Sequence, residues 1–247
     1  MSGALLAARA FLVLVGPYAG DFVATFAVSW PRWPTPLLGR SHCGRCGAPI
    51  AIGGQIPMVS WLLKRGRRAC CGGRIPIVYP IGEAAGLVSG VAAAVATHPL
   101  VQAWIFAVGL TLTYIALVDL RRFSIPVGGL AALALEAALA IAAAPSTEAR
   151  LARLATGAVL ALALETLRRL ARRGARAGLG GGDVMLAGLL GSLVGWRLTA
   201  PMVGLAALTP LALQLVTRKS GPVPLGFWLS IVAALFLLAI ESNMLVE

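Results

Sequence analysis

Eight stretches of mainly apolar residues constrain what this chain can become. They lie at about 8–29, 79–97, 100–118, 126–144, 151–167, 184–200, 202–217 and 223–241. Each is close to the roughly 17 to 25 residues that a helix needs to cross a bilayer. A backbone in lipid must satisfy its hydrogen bonds within its own segment, so such spans fold as helices. The last three follow one another closely, and the break between two of them is expected near Pro201. With 59% of 247 residues hydrophobic and a mean hydropathy of +0.87, the chain carries more apolar surface than a soluble domain of this length buries. Abundant glycine and alanine suit helices packed closely in a membrane. The expected fold class is all-α: a polytopic membrane protein with about eight transmembrane helices and one cytoplasmic loop domain. Its expected segments are a first span over 1–29, a polar loop domain over 30–78 that holds every cysteine, and a membrane core over 79–247. The first apolar stretch lacks a basic leader and a small-residue cleavage pattern, so it is expected to stay as a span.

The basic residues orient these spans. The loop after span one carries Arg32, Arg40, Arg45, Lys64, Arg65, Arg67, Arg68 and Arg74. Arg121 and Arg122 follow span three, and Arg168, Arg169, Arg172, Arg173 and Arg176 follow span five. Arg218 and Lys219 follow span seven, so 17 of the 21 Lys and Arg residues fall on one side. Positive loops stay cytoplasmic, which places both termini on the far side. The formal charge of +12 therefore reflects topology beside membrane lipid, and nucleic acid is not an expected partner. Arg9, Arg150, Arg153 and Arg197 are the exceptions.

Carboxylates at the membrane boundary are costly and mark function or pairing. The chain has three aspartates, Asp21, Asp119 and Asp183. Asp119 ends span three in VDLRRFSIP, and Asp183 starts span six after Gly180, Gly181 and Gly182. The topology puts both at the cytoplasmic face. The bland readings are an exposed ion pair of Asp119 with Arg121 or Arg122 and a capping role for Asp183. Two carboxyls sharing a site do not both ionise readily, so one keeps its proton. The ionised one then activates water while the other donates to a carbonyl, which is the chemistry of peptide hydrolysis. Glu83 at the start of span two reads either as support for this site or as a helix-start carboxylate favoured by the dipole. Asp21, Glu136 and Glu165 lie inside spans, where they are expected to face the bundle or pair with arginine.

These motifs, in this order, resemble the prepilin peptidases, the type IV leader peptidase family of GxGD membrane aspartyl proteases. Gly180-Gly181-Gly182-Asp183 matches the GxGD signature, and VDLRRFSIP resembles the family's first-aspartate motif, with Val127 and Gly128 where polar residues are usual. SHCGRCGAPI, IPMVSWLLKRG and GGRIPIVYPIGEAAG, which ends around Glu83, are similar to the family's loop, and VPLGFWLS resembles a further motif around Pro224 and Gly226. The resemblance implies cleavage of the basic leader from type IV prepilins or secretion pseudopilins at the cytoplasmic boundary of the inner membrane. It makes Asp119 and Asp183 the catalytic pair, with no cofactor for proteolysis. The 79–247 segment becomes the protease core. Gly180 and Gly182 are expected to let an extended substrate lie close to Asp183, so a bulky residue at 182 should reduce cleavage.

The cysteines carry a second expectation. Cys43 and Cys46 have the two-residue spacing that suits half of a tetrahedral zinc site. The other half reads GRRACCGGRI, with Cys70 and Cys71 adjacent and Arg68 where a thiol is expected by the resemblance. The alternatives are a four-thiolate site using Cys70, a three-thiolate site completed by His42, or no metal. The resemblance also implies N-methylation of the new N-terminus, with S-adenosylmethionine bound in the 30–78 region. The sequence shows no glycine-rich nucleotide pattern, and Ala24 and Ser29 stand where asparagine and arginine are usual. A protease without methylation is one alternative. A non-enzymatic transporter or assembly protein using the two carboxylates is another, and it leaves the cysteine loop unexplained.

Overall fold

The computed structural model describes residues 3–31, 42–51, 54, 56–173, 179–217 and 223–244. Arg32, Arg40, Arg176, Arg218 and Lys219, all used in the sequence argument, lie outside the described residues. The elements are α1 (Gly3–Ser29), α2 (Val59–Leu63), α3 (Val78–Val95), α4 (Pro99–Arg122), α5 (Val127–Ala142), α6 (Thr147–Arg173), α7 (Gly181–Val194), α8 (Trp196–Thr217) and α9 (Leu225–Met244). Apart from the short α2, they occupy the eight apolar stretches. The described residues thus form an all-α, multi-pass membrane fold. Four helices, α1, α3, α4 and α8, are long and apolar enough to cross a bilayer, and shorter apolar stretches are α5, α7 and Leu225–Phe236 within α9. Large apolar side chains stay exposed along them, including Phe11, Leu14, Leu162, Leu215 and Val216. A water-soluble surface rarely shows apolar area on that scale, whereas lipid accepts it.

The chain divides into two compact units, Met1–Leu117 and Val118–Glu247. In the first, α1 lies directly against α3. The contact is backbone on backbone: a Cβ at Gly16 would strike the Gly86 carbonyl, and one at Gly20 the Gly82 carbonyl. Reciprocally, a Cβ at Gly86 would meet the Gly16 carbonyl, and one at Gly90 the Leu12 carbonyl. Residues four apart share one helix face, so two glycine ladders oppose each other. Ala24 and Ala27 continue this seam of α1, both fully buried. At the end of α3 the Ala96 carbonyl accepts Gln102 Nε2 at 2.8 Å and Arg9 at 3.4 Å.

The second unit is built around α7, which packs against α5, α6, α8 and α9. Leu186, Ala187 and Leu190 of α7 are fully buried. Gly157 brings α6 close, since a Cβ there would meet the Gly188 carbonyl at 2.6 Å. Arg153 of α6 donates to the Leu193 carbonyl at 2.5 Å and the Ser192 carbonyl at 3.4 Å, closing the C-terminus of α7. Two of the arginines on the far side of the charge count, Arg9 and Arg153, therefore satisfy carbonyls at helix C-termini. The expected break near Pro201 is found elsewhere. Gly195, at φ +75, ends α7, and Pro201 lies inside α8. A left-handed glycine stops a helix, while a proline near the start of a membrane helix is tolerated.

Gly20→Ala should force α1 off α3 and cost about 1–3 kcal/mol. A lower melting temperature in detergent would register it, while Gly204→Ala, with nothing within 4 Å of the added methyl, should leave melting unchanged.

Candidate active site and metal centre

Asp119 is the last buried residue of α4, only 3% exposed. The helix ends three residues later at Arg122, and Phe123 turns left-handed at φ +51 while donating its N–H to the Asp119 carbonyl at 2.8 Å. The Asp119 carboxylate accepts the backbone N–H of Phe227 at 3.0 Å, and Gly226 is a second backbone donor. These are the first N–H groups of α9, which have no partner within their own helix. A carboxylate there also meets the positive end of the helix dipole. Gly226 is needed for the approach, because a Cβ would sit 3.1 Å from Asp119 Oδ2.

Asp183 is the third residue of α7 and half-buried. Its Oδ2 accepts the N–H of the N-cap residue Gly180 at 3.1 Å. This is the returning half of a capping box. The bland expectation of a cap is thus met in mirror image: Asp183 is not the N-cap but reaches back to it. The glycines have local reasons. A Cβ on Gly180 would lie 2.8 Å from Asp183 Oδ2, and one on Gly182 would lie 3.1 Å from Ile125 Cβ. Ile125 also faces Gly226, at 3.0 Å from the position of its missing Cβ. One side chain, not singled out from the sequence, therefore packs against the glycines beside both aspartates. The two carboxylates are near enough for their charges to act on each other.

Glu83 belongs to the first unit, 7% exposed on α3. It accepts the backbone N–H of Met58 at 2.5 Å, where Met58 stands left-handed at φ +58 just before α2. Its charge also feels Asp21 on α1. Glu83 thus ties the loop to the membrane helices, and the dipole-only reading misses this contact. Of the other carboxylates, Glu136 is buried, and Glu165 pairs with Arg168 at 2.6 Å and Arg169 at 2.7 Å.

The four cysteine sulfurs, of Cys43, Cys46, Cys70 and Cys71, lie within 4.8 Å of one another. Cys43 Sγ is 3.8 Å from Cys71 Sγ, and Cys46 Sγ is 3.4 Å from Cys70 Sγ. Metal–sulfur bonds of about 2.3 Å in a tetrahedron place sulfurs about 3.8 Å apart, so the donor set fits a metal ion. The adjacent Cys70 and Cys71 both reach the cluster, and His42, the stand-in ligand considered from the sequence, is outside it and pairs with Pro49. The N–H groups of Cys46 and Arg45 hold the Cys43 thiol down at about 5, with Arg68 adding to them. Hydrogen bonding with Cys46 and Cys43 pushes Cys70 up to about 12. A metal binds thiolates, so binding would release the protons that remain.

The fold and these two sites define a multi-pass membrane protein with a carboxylate pair at helix ends and a four-cysteine loop. Comparison with known proteins points to a family. The bacterial peptidase A24 N-terminal domain matches residues 14–97. The chain is 30% identical over 235 residues to a prepilin leader peptidase/N-methyltransferase of Dickeya chrysanthemi, covering 90% of this chain and 78% of that protein. A protein of the same name from Myxococcus xanthus is 29% identical, over 86% of this chain and 65% of its own length. A type 4 prepilin-like proteins leader peptide-processing enzyme of Escherichia coli is 31% identical, over 77% of this chain and 71% of its length. No solved structure matches. The chain belongs to the prepilin leader peptidase family.

Because Asp119 holds the start of α9, removing its side chain has a structural cost. Asp119→Ala should lose about 0.5–2 kcal/mol. Asp119→Asn keeps an acceptor and should lose less, a difference visible as separated melting curves in detergent.

Proposed function

We propose that this protein is a membrane-embedded aspartic endopeptidase of the inner membrane. It removes the basic leader peptide of type IV prepilins or pseudopilins at the cytoplasmic boundary, as the names of its relatives suggest for them. The observation that carries this reading is the pairing of Asp119 and Asp183, each held by backbone N–H groups at a helix start in the 118–247 unit. The ionised carboxylate takes a proton from water as the water oxygen attacks the scissile carbonyl carbon. The protonated carboxyl donates to the carbonyl oxygen. The tetrahedral species then collapses, the C–N bond breaks, and the leaving amine takes up a proton. Proteolysis by this route uses no cofactor.

The cysteine loop of the 30–78 segment completes the proposal. Cys43, Cys46, Cys70 and Cys71 hold a structural zinc ion, which would fix the loop much as a zinc knuckle is fixed by its metal. Glu83 supports that loop through Met58. The names of the Dickeya and Myxococcus relatives include N-methyltransferase, and we assign this chain the same second step, methylation of the new N-terminus with S-adenosylmethionine as donor. The mature product should then gain one methyl group in mass, and only when the donor is supplied.

Asp119→Asn and Asp183→Asn, reconstituted with a prepilin, should each cut processing by about 10²–10⁴-fold while the protein still inserts and melts cooperatively. Processing at the wild-type rate by either variant would remove the carboxylate pair from the mechanism. A wild-type protein that releases no product would favour a carrier of protons or cations. Purified protein should contain one zinc per chain, and Cys43→Ser should lose it.

A further inference from the structure

The cysteine loop contains two turns of one form, 25 residues apart. His42 faces Pro49 across the first, and Arg67 faces Arg74 across the second. Cys43 N–H donates to the Ala48 carbonyl at 2.8 Å, and Arg68 N–H to the Gly73 carbonyl at 2.8 Å. Gly47 N–H returns to the Cys43 carbonyl at 2.8 Å, and Gly72 N–H to the Arg68 carbonyl at 2.9 Å. Both glycines are left-handed, at φ +71 and φ +64. In this register Cys46 corresponds to Cys71, Cys43 to Arg68 and Arg45 to Cys70.

The second turn therefore has a guanidinium where the first has a ligand. That guanidinium crosses between the turns: Arg68 Nη1 donates to Cys43 Sγ at 3.3 Å. Cys70, two residues further on, brings its sulfur to 3.4 Å from Cys46 and closes the cluster. We propose that the fourth thiolate of this site is displaced from position 68 to position 70, and that Arg68, in the vacated place, is a positioning residue holding the Cys43 thiolate by a charge-assisted N–H···S bond. The physical reason is charge. Four thiolates around a divalent cation leave an excess of two negative charges. Cys43, at 4% exposed, is the one buried member of the set and shares its charge least with water. An arginine donor supplies what water cannot, as outer partners of metal ligands commonly do. Its planar fork also fixes the direction of the bond.

This rests on the cluster's binding a metal, as proposed above, and the test separates the two. Full-length protein in detergent is assayed for zinc content and for the rate of zinc transfer to a chelating dye. Arg68→Met, which keeps the stem but removes the donor, should weaken zinc retention by about 10- to 100-fold. Arg68→Lys should recover part of that loss. Cys70→Ala should lose the metal, and adding Arg68→Cys to it should restore one zinc per chain by returning the thiol to the turn's own ligand position. Wild-type retention by Arg68→Met would overturn the role of the arginine. Full zinc in Cys70→Ala, or failed restoration in the double variant, would overturn the displaced ligand. Wild-type protein without zinc would remove the metal reading and this one with it.

Discussion

The hydrogen bonds from the first N–H groups of α9 to the Asp119 carboxylate are the contact on which the second unit depends. The first N–H groups of a helix have no partner within it, and leaving them buried and unpaired is costly. Residues 119 and 227 are far apart in the chain, so this single contact joins the end of α4 to the start of α9. Gly226 leaves room for it, since a Cβ there would sit 3.1 Å from Asp119 Oδ2. The same economy recurs at Asp183, which reaches back to the Gly180 N–H across a position where a Cβ would collide with it. Both carboxylates are oriented by backbone, which has few ways to relax. Groups oriented in this way are pre-positioned for chemistry.

That geometry gives the glycines before Asp183 a local role as well. Read from the sequence, they make room for a substrate backbone. In the fold, Gly180 makes room for the Asp183 carboxylate itself, and Gly182 for Ile125. A bulky residue at 182 would strike Ile125, so lost cleavage there would not by itself report substrate contact. Ile125 touches the neighbourhood of both aspartates, yet nothing distinguishes it in the sequence from any other apolar residue. Its importance comes from two missing methyl groups on opposite partners.

Close backbone approach also governs the first unit. The glycine spacing of α1 and α3 is visible in the sequence at every fourth residue, but which helix answers which is not. The far-side arginines carry a similar lesson. Arg9 and Arg153 count against the charge bias when loops are tallied, and each is engaged with carbonyls at the end of a neighbouring helix. Both of these exceptions to the charge bias thus have structural employment. In the cysteine loop, the adjacent pair that breaks the expected spacing becomes intelligible once Arg68 is seen in the place of the missing thiol.

The sequence by itself determined the all-α membrane class, the apolar stretches that the helices occupy, the family and the residues worth testing. Long apolar runs and short motifs are local properties, and lipid leaves them one way to fold. It did not determine that α7 breaks at Gly195 rather than at Pro201, because a proline reads as a stop only where its lost hydrogen bond matters. Nor did it decide between three thiolates and four at the loop, since reach depends on how two turns face each other. Only tertiary structure set Asp119 on α9, Glu83 on Met58 and Arg68 on Cys43. Each of those bonds joins residues distant in the chain, and distance in the chain carries no record of direction in space.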